Sequence, residues 1–406
     1  VQKHIVIFLC GFISGFTLLI SGNTLNFWLS SESIDIRLIG IFSITSLPYA
    51  INFIWAPLLD SIKVPFLLKA FGQRMAWVYL LQLLLAISVY TLSLRSPHDG
   101  LIGLSICAIF VSLFSSTQDT ALGALRTEII EPAQQGVVAG VYIVGYRVGM
   151  LLASSGAIFC SDYLSWQSIY QIFAFIILSF PLILTIALSN LQLQKIPNTQ
   201  LTRGNFVIKI LQSLGSTKFI ILLLLFLVLY RLPDNFINVM INPFLIHTGF
   251  DAAEIATVGK FLGIMAAILG GLIASRIMNK LTIADSLLYF GIAHAIAHSM
   301  FIAQDIAGHN LPLLFFVMGF ESITGGMAMA AYIAYITSLC SGKYRATQYA
   351  ILSSMMGLSR AILPGISGFI VSEYGWQIFY LFTSIATIPA LILLWYLRLK
   401  SQSSIT

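Results

Sequence analysis

The chain has 406 residues, 58% of them hydrophobic and 9% charged, with a mean hydropathy of +0.93 and a formal net charge of +6 at pH 7. Soluble domains run about 45 to 50% apolar and about 25% charged, so the composition excludes a soluble globular protein. Apolar runs of about 20 residues fit helices crossing a hydrocarbon core of about 30 Å and exceed the strands of a membrane barrel, so the fold class is all-α integral membrane.

In chain order, the first run, HIVIFLCGFISGFTLLISG, lacks an A-x-A cleavage pattern and is followed by similar runs. It reads as a retained first helix rather than a signal peptide. Helices are predicted near 4 to 24, 38 to 59, 73 to 94, 100 to 128, 135 to 161 and 168 to 190. A second set is predicted near 217 to 247, 253 to 276, 284 to 303, 311 to 340, 344 to 372 and 377 to 397. The longest polar segment, LQLQKIPNTQLTRGNFVIKILQS, separates the sets. The expectation is twelve transmembrane helices in two six-helix halves, 1–190 and 217–400, joined by a cytoplasmic linker at 191–216.

Lys and Arg gather in alternate breaks: Lys63, Lys69 and Arg74; Lys195, Arg203, Lys209 and Lys218; Arg276 and Lys280; Lys343 and Arg345. The intervening loops hold Glu32, Asp35, Asp99, Asp251, Glu254 and Asp305, with only Arg37 and Arg95 among them. Short basic loops stay in the cytoplasm, so both termini are expected there. This topology accounts for the positive charge without a nucleic-acid partner. The four cysteines, Cys10, Cys107, Cys160 and Cys340, stand singly in apolar runs, without the CxxC spacing of a zinc or redox site. They read as small packing residues.

The halves repeat. GYRVGMLLASSGAIFCSDYLSWQSIY at 145 to 170 is similar to GLSRAILPGISGFIVSEYGWQIFY at 357 to 380, pairing Gly145 with Gly357, Gly156 with Gly368 and Trp166-Gln167 with Trp376-Gln377. A repeat of whole six-helix halves in parallel orientation resembles the major facilitator type of secondary transporter.

An ionisable residue deep in a span costs at least about 2.5 kcal/mol and normally faces a partner or an aqueous cavity. Asp119, beside Gln118 in SSTQDTALGALRTEII, is the clearest case. It is either a packing acceptor or, the reading preferred here, a proton-coupling group lining a transport path. Arg126 lies two helical turns further along the same face; it and Glu128 alternatively form a solvated helix end. In LVLYRLPDNF, Arg231 and Asp234 are three residues apart and can pair, beside a Pro233 expected to kink the helix; a static pair that locks register is the other reading. Lys260 either snorkels to the interface or contacts substrate.

Arg147 and Arg360 occupy nearly equivalent places in the two halves, and a pair of guanidinium groups suits an anionic substrate. Glu321, the lone acid of the tenth predicted span, is either a second proton-coupling site or half of an ion pair. HAIAH, His294 to His298, has alanine where a zinc protease carries its glutamate, and the sequence shows no third ligand. No metal site is expected; the histidines read as an interhelix hydrogen bond or packing. No P-loop is present, so a proton gradient rather than ATP or a cofactor is the expected energy source. An enzyme would need a convergent acid, base and nucleophile set, and none assembles.

IDIRLIGIFSITSLPYAINFIWAPLLDSI, SSTQDTALGALRTEI, GYRVGMLLASSGA, LYRLPDNF, GFDAAEIATVGKFLG and SGKYRATQYAILSSMMGLSR resemble, in order along nearly the whole chain, the AmpG muropeptide permeases. More distantly, the Gln118-Asp119 motif is similar to that of the acetyl-CoA transporters. The AmpG resemblance implies a multi-pass protein of the bacterial inner membrane that imports GlcNAc-anhydromuramyl peptides with protons. It implies an anionic glycopeptide as small-molecule partner, the lipid bilayer as the other, and a monomer as the working unit.

The family pattern QDxxxDxW is met at Asp119, but Gly123 replaces its second acid and Leu125 its tryptophan, and Asn52 stands where the family carries lysine. Losing one partner of a buried pair would strand the other at a cost of several kcal/mol, so Asn52 and Gly123 together read as a neutralised pair in a divergent paralogue. Two other readings follow: the same fold carrying a different anionic metabolite, and a ligand sensor without transport.

Overall fold

The structure is a computed structural model that describes residues 2–55, 59, 65–129, 135–189, 216–340 and 345–403; within these, the side chains of 53, 65–73, 124, 126–129, 135–140, 260, 345–347, 349–350 and 398–403 lie outside the description. The predicted linker at 191–216 is outside it except for Ser216. Every regular element described is helical. Among the described residues, ten helical stretches are long and apolar enough to cross a membrane, from Gln2–Ser31 to Ile351–Leu397, with Ile36–Ile51 a shorter apolar stretch. Outward residues such as Phe175, Ile186 and Trp395 are largely exposed apolar side chains, as helices solvated by lipid require.

By their internal contacts the residues form two compact units, Val1–Ile34 with Thr45–Leu201, and Asp35–Ile44 with Thr202–Thr406. The first contains α1 (Gln2–Ile20), α2 (Asn23–Ser31), α4 (Leu47–Ile51), α5 (Pro65–Ser93), α6 (Leu101–Ile129), α7 (Gln135–Leu151), α8 (Ala157–Cys160) and α9 (Trp166–Leu188). A π-helical turn, Leu152–Gly156, joins α7 to α8. The helix α3 (Ile36–Ile41) belongs to the second unit.

The uninterrupted second span expected at 38 to 59 is broken instead: α3 leads into a 3-10 turn, Phe42–Ser46, then α4, then a second 3-10 turn, Asn52–Ile54. Pro48 at the start of α4 supplies the reason, since it has no N–H to donate and its ring crowds the preceding turn.

In the first unit α1 packs directly on α7. A Cβ added at Gly11 or Gly15 would meet the backbone of Tyr142 or Tyr146, and one at Gly145 or Gly149 the backbone of Phe8 or Phe12. Glycine at all four places lets the two backbones touch, the close approach by which helices associate where lipid supplies no hydrophobic drive.

The second unit adds α10 (Thr217–His247), α11 (Ala252–Glu254), a π-helical stretch Ile255–Leu262, α12 (Gly263–Met278), α13 (Ile283–Ala307), α14 (Leu311–Leu339), α15 (Arg345–Ala361), α16 (Ser367–Ile385) and α17 (Ile388–Ser403). The helix α10 runs unbroken through Pro233 and Pro243. By contrast α16 is interrupted at Gly375, whose φ of 80° and ψ of 174° only glycine reaches cheaply. The core of the second unit draws on α10, α12, α13, α14, α15 and α17: Tyr230 stacks on Tyr332 with centroids 5.8 Å apart, and their hydroxyls donate to the Leu287 and Leu227 carbonyls, each at 3.0 Å. Arg37 on α3 pairs with Glu373 at 2.6 Å and donates to Ser372 at 2.7 Å, fixing α3 to α16.

The sequence repeat has a structural counterpart within each unit. Trp166 and Tyr170 of α9 pack with Trp28, and Trp376 and Tyr380 of α16 pack with Phe244. The Tyr170 hydroxyl donates to the Ile20 carbonyl at 2.9 Å, while the Tyr380 hydroxyl is buried without a hydrogen-bond partner.

Candidate functional site

In the first unit, polar residues recur at every third or fourth position of α1 (Ser14, Thr17, Ser21) and α6 (Ser112, Ser115, Asp119). That spacing places each set on one helical face, and the antiparallel helices bring the rows together. Ser21 and Ser112 bond at 2.7 Å, and Ser115 donates to Thr17 at 2.7 Å. Tyr49 of α4 joins at Ser115, 2.5 Å away, and the Trp55 indole donates to Thr117 at 2.9 Å. The row continues to Ser14, which faces the Asp119 carboxyl. There the pairing fails: Ser14 Oγ, Asp119 Oδ1 and both amide atoms of the fully buried Gln118 make no hydrogen bond. A carboxylate and an amide with buried, unpartnered atoms demand a proton, a water or a ligand, because each unmet group costs about 1 to 3 kcal/mol.

Arg147, on α7, is half-buried, and its guanidinium reaches the Met150 sulfur at 3.9 Å. The backbone of Arg126 lies on α6, with its side chain outside the described residues. A Cβ at Gly123 would meet nothing within 4 Å, so the place of the missing second acid is open space.

The second unit holds a denser constellation. Arg231 and Asp234, one turn apart on α10, form an ion pair with side chains only 13% and 12% exposed. Asp234 Oδ1 also lies 3.5 Å from His294 Nε2 on α13. His294 Nδ1 bonds Thr324 of α14 at 3.1 Å, and His294 Nε2 meets His298 Nε2 at 3.1 Å. Glu321, one turn before Thr324, completes the group: one ligand-type atom from each of His294, His298 and Glu321 lies within 4.8 Å of the others. Glu321 is thus the third ligand-type group that the sequence did not connect to the two histidines.

The sequence paired Arg231 with Asp234 and singled out Glu321 by itself; it assigned His294 and His298 to an interhelix hydrogen bond or packing, and His294 makes such a bond to Thr324. The available signal was their i, i+4 spacing, which puts both rings on one helical face. Arg360, half-buried on α15, follows Ser359, whose hydroxyl donates to the Val228 carbonyl at 2.9 Å and accepts from Asn235 at 3.0 Å. Lys260 falls in the π-helical stretch, and its side chain is outside the described residues.

The chain matches the family model described as Major Facilitator Superfamily over residues 7–303 and 285–405. It is 52% identical over 403 residues to a putative transporter, AmpG 1, of Rickettsia bellii, covering 98% of both chains. It is 32% identical over 394 residues to the anhydromuropeptide permease of Escherichia coli K12, covering 97% of this chain and 79% of that protein. Its fold is similar to the crystal structure of a bacterial homologue of the human lysosomal transporter Spinster, inward-facing and unoccupied, with a TM-score of 0.72 at 14% identity over 98% of this chain and 95% of the other.

Proposed function

Because the chain belongs to the AmpG family of the major facilitator superfamily and is a membrane transporter for a small-molecule substrate, we propose that it imports cell-wall muropeptides together with protons. In this reading it spans the bacterial inner membrane twelve times with both termini in the cytoplasm. Residues 1–190 and 217–400 are its two halves, 191–216 a cytoplasmic linker, and the monomer the working unit. The Escherichia coli relative, an anhydromuropeptide permease by name, supports the cargo.

The observation that carries the proton-coupled reading is Asp119: a carboxylate inside a span, with Oδ1 buried and unpartnered beside an equally unpartnered Gln118. Such a group holds a proton when sealed from water and releases it when the path opens to the other side. Glu321 is the corresponding acid of the second unit, with Gln118, Arg126, Arg147, Arg231, Asp234, Lys260 and Arg360 as substrate or charge-balancing groups.

Proteoliposomes with an acidic exterior test this with radiolabelled GlcNAc-anhydromuramyl peptide. Accumulation above equilibrium that collapses with a protonophore is expected. Absence of accumulation while the proton gradient persists overturns the reading. A second reading, another anionic metabolite on the same scaffold, is favoured by Gly123 and Asn52, which remove two charges from the family pattern. Competition by unlabelled anions in the same vesicles separates the two.

A further inference from the structure

We propose that His294 and His298, together with Asp234 and Glu321, form a proton-binding site in the second unit, with the imidazole pair as the seat of the proton. Its use in transport rests on the proton-coupled reading above; its existence does not.

The hydrogen-bond network assigns the protons. Thr324 Oγ1 lies 2.9 Å from both the Phe320 and Glu321 carbonyls and donates there, so it accepts from His294 Nδ1 at 3.1 Å. His294 therefore carries its ring proton on Nδ1, and in the neutral ring Nε2 is a lone pair. That lone pair faces both His298 Nε2 and the Asp234 carboxylate. His298 satisfies the first contact by donating from Nε2, which leaves its own Nδ1 without a proton, buried and facing the Thr383 backbone. The second contact, lone pair against carboxylate, is repulsive.

One added proton resolves both defects. It enters at His298 Nδ1, near the Thr383 backbone, while the Nε2 proton passes to His294. His294 becomes an imidazolium that donates to Asp234 and His298, and His298 keeps one ring proton, now on Nδ1. The balance is one proton gained: an N–H bond forms at His298 Nδ1, and the His298 Nε2–H bond breaks as the His294 Nε2–H bond forms. The groups around the pair are Arg231 and Asp234 on α10, Glu321 and Thr324 on α14, and Thr383 on α16.

Charge selects the proton over a metal. Arg231, Asp234 and Glu321 ionised sum to one negative charge, and a buried site is cheapest when neutral. A single proton brings it to zero, whereas a divalent ion would leave a buried positive charge beside a guanidinium. Sodium prefers oxygen donors to the two ring nitrogens.

The test is nitrogen-15 NMR of histidine-labelled protein in nanodiscs across a pH series, with His294→Gln and His298→Gln assigning the two rings among the six histidines. The expected result is that both rings change together in a single one-proton event, and that Glu321→Gln removes the protonated signature at a pH where the wild-type protein shows it. Independent titration of the two rings, or a signature indifferent to Glu321→Gln, overturns the proposal. So does visible absorption from added Co²⁺ that His298→Gln abolishes, because the site is then a metal site. The titration uses the protein without cargo, so it stands whichever substrate is carried, and failure of wild-type muropeptide uptake bears on the cargo alone.

Discussion

Ser14 on α1 and Asp119 on α6 occupy the last rung of an antiparallel row of polar side chains, and there Ser14 Oγ and Asp119 Oδ1 lack the hydrogen bonds that close the rungs above. Thr17 with Ser115 and Ser21 with Ser112 join the helices by hydrogen bonds; the Ser14 and Asp119 rung is not closed in this way. Asp119→Asn keeps the shape and removes the titratable proton. It is expected to abolish proton-driven accumulation in proteoliposomes while cargo exchange without a gradient persists. Normal uphill accumulation in that variant removes Asp119 from the coupling.

The open space around Gly123 makes the family's second acid sterically admissible. Gly123→Asp alone adds an uncompensated charge, as does Asn52→Lys alone, and each is expected to lower yield and thermal stability. Together they are expected to recover both. If the double variant melts no higher than the worse single one, Asn52 and Gly123 are unrelated substitutions.

The Arg231–Asp234 pair is little exposed, so breaking it differs from removing it. Arg231→Met strands a buried carboxylate and is expected to cost about 3 kcal/mol or more, whereas Arg231→Met with Asp234→Leu restores most of the loss. Thermal unfolding of the detergent-purified variants provides the comparison.

Three glycines are expected to respond differently for geometric reasons. Gly15→Val drives a side chain into the Tyr146 backbone and should cost about 2 kcal/mol or more. Gly375→Ala has space but sits at positive φ, for about 1 to 3 kcal/mol. Gly123→Ala has both space and helical geometry and should stabilise by up to about 1 kcal/mol. Melting temperatures in this order would confirm that α1 and α7 are joined by backbone contact.

Much of the fold was legible in the chain because lipid leaves an apolar segment one way to satisfy its backbone, so hydropathy and length determine helices. Local chemistry was legible too: Arg231 and Asp234 are one helical turn apart, and the i, i+3 spacing predicts their pairing whatever surrounds them. The break in the second predicted span was missed because a bilayer-length apolar run outweighed the signal of Pro48.

Sequence by itself thus determined the solvent, the helices and which residues carry charge at a cost. Tertiary structure alone decided their company. Asp234, His294, His298 and Glu321 come from three helices, and their meeting depends on how α10, α13 and α14 rotate and cross. Side-chain packing along whole helix faces sets those rotations, which no local spacing encodes. Hence HAIAH, read in one dimension as an interhelix hydrogen bond or packing, makes that bond to Thr324 and also stands at the centre of a charged cluster in three.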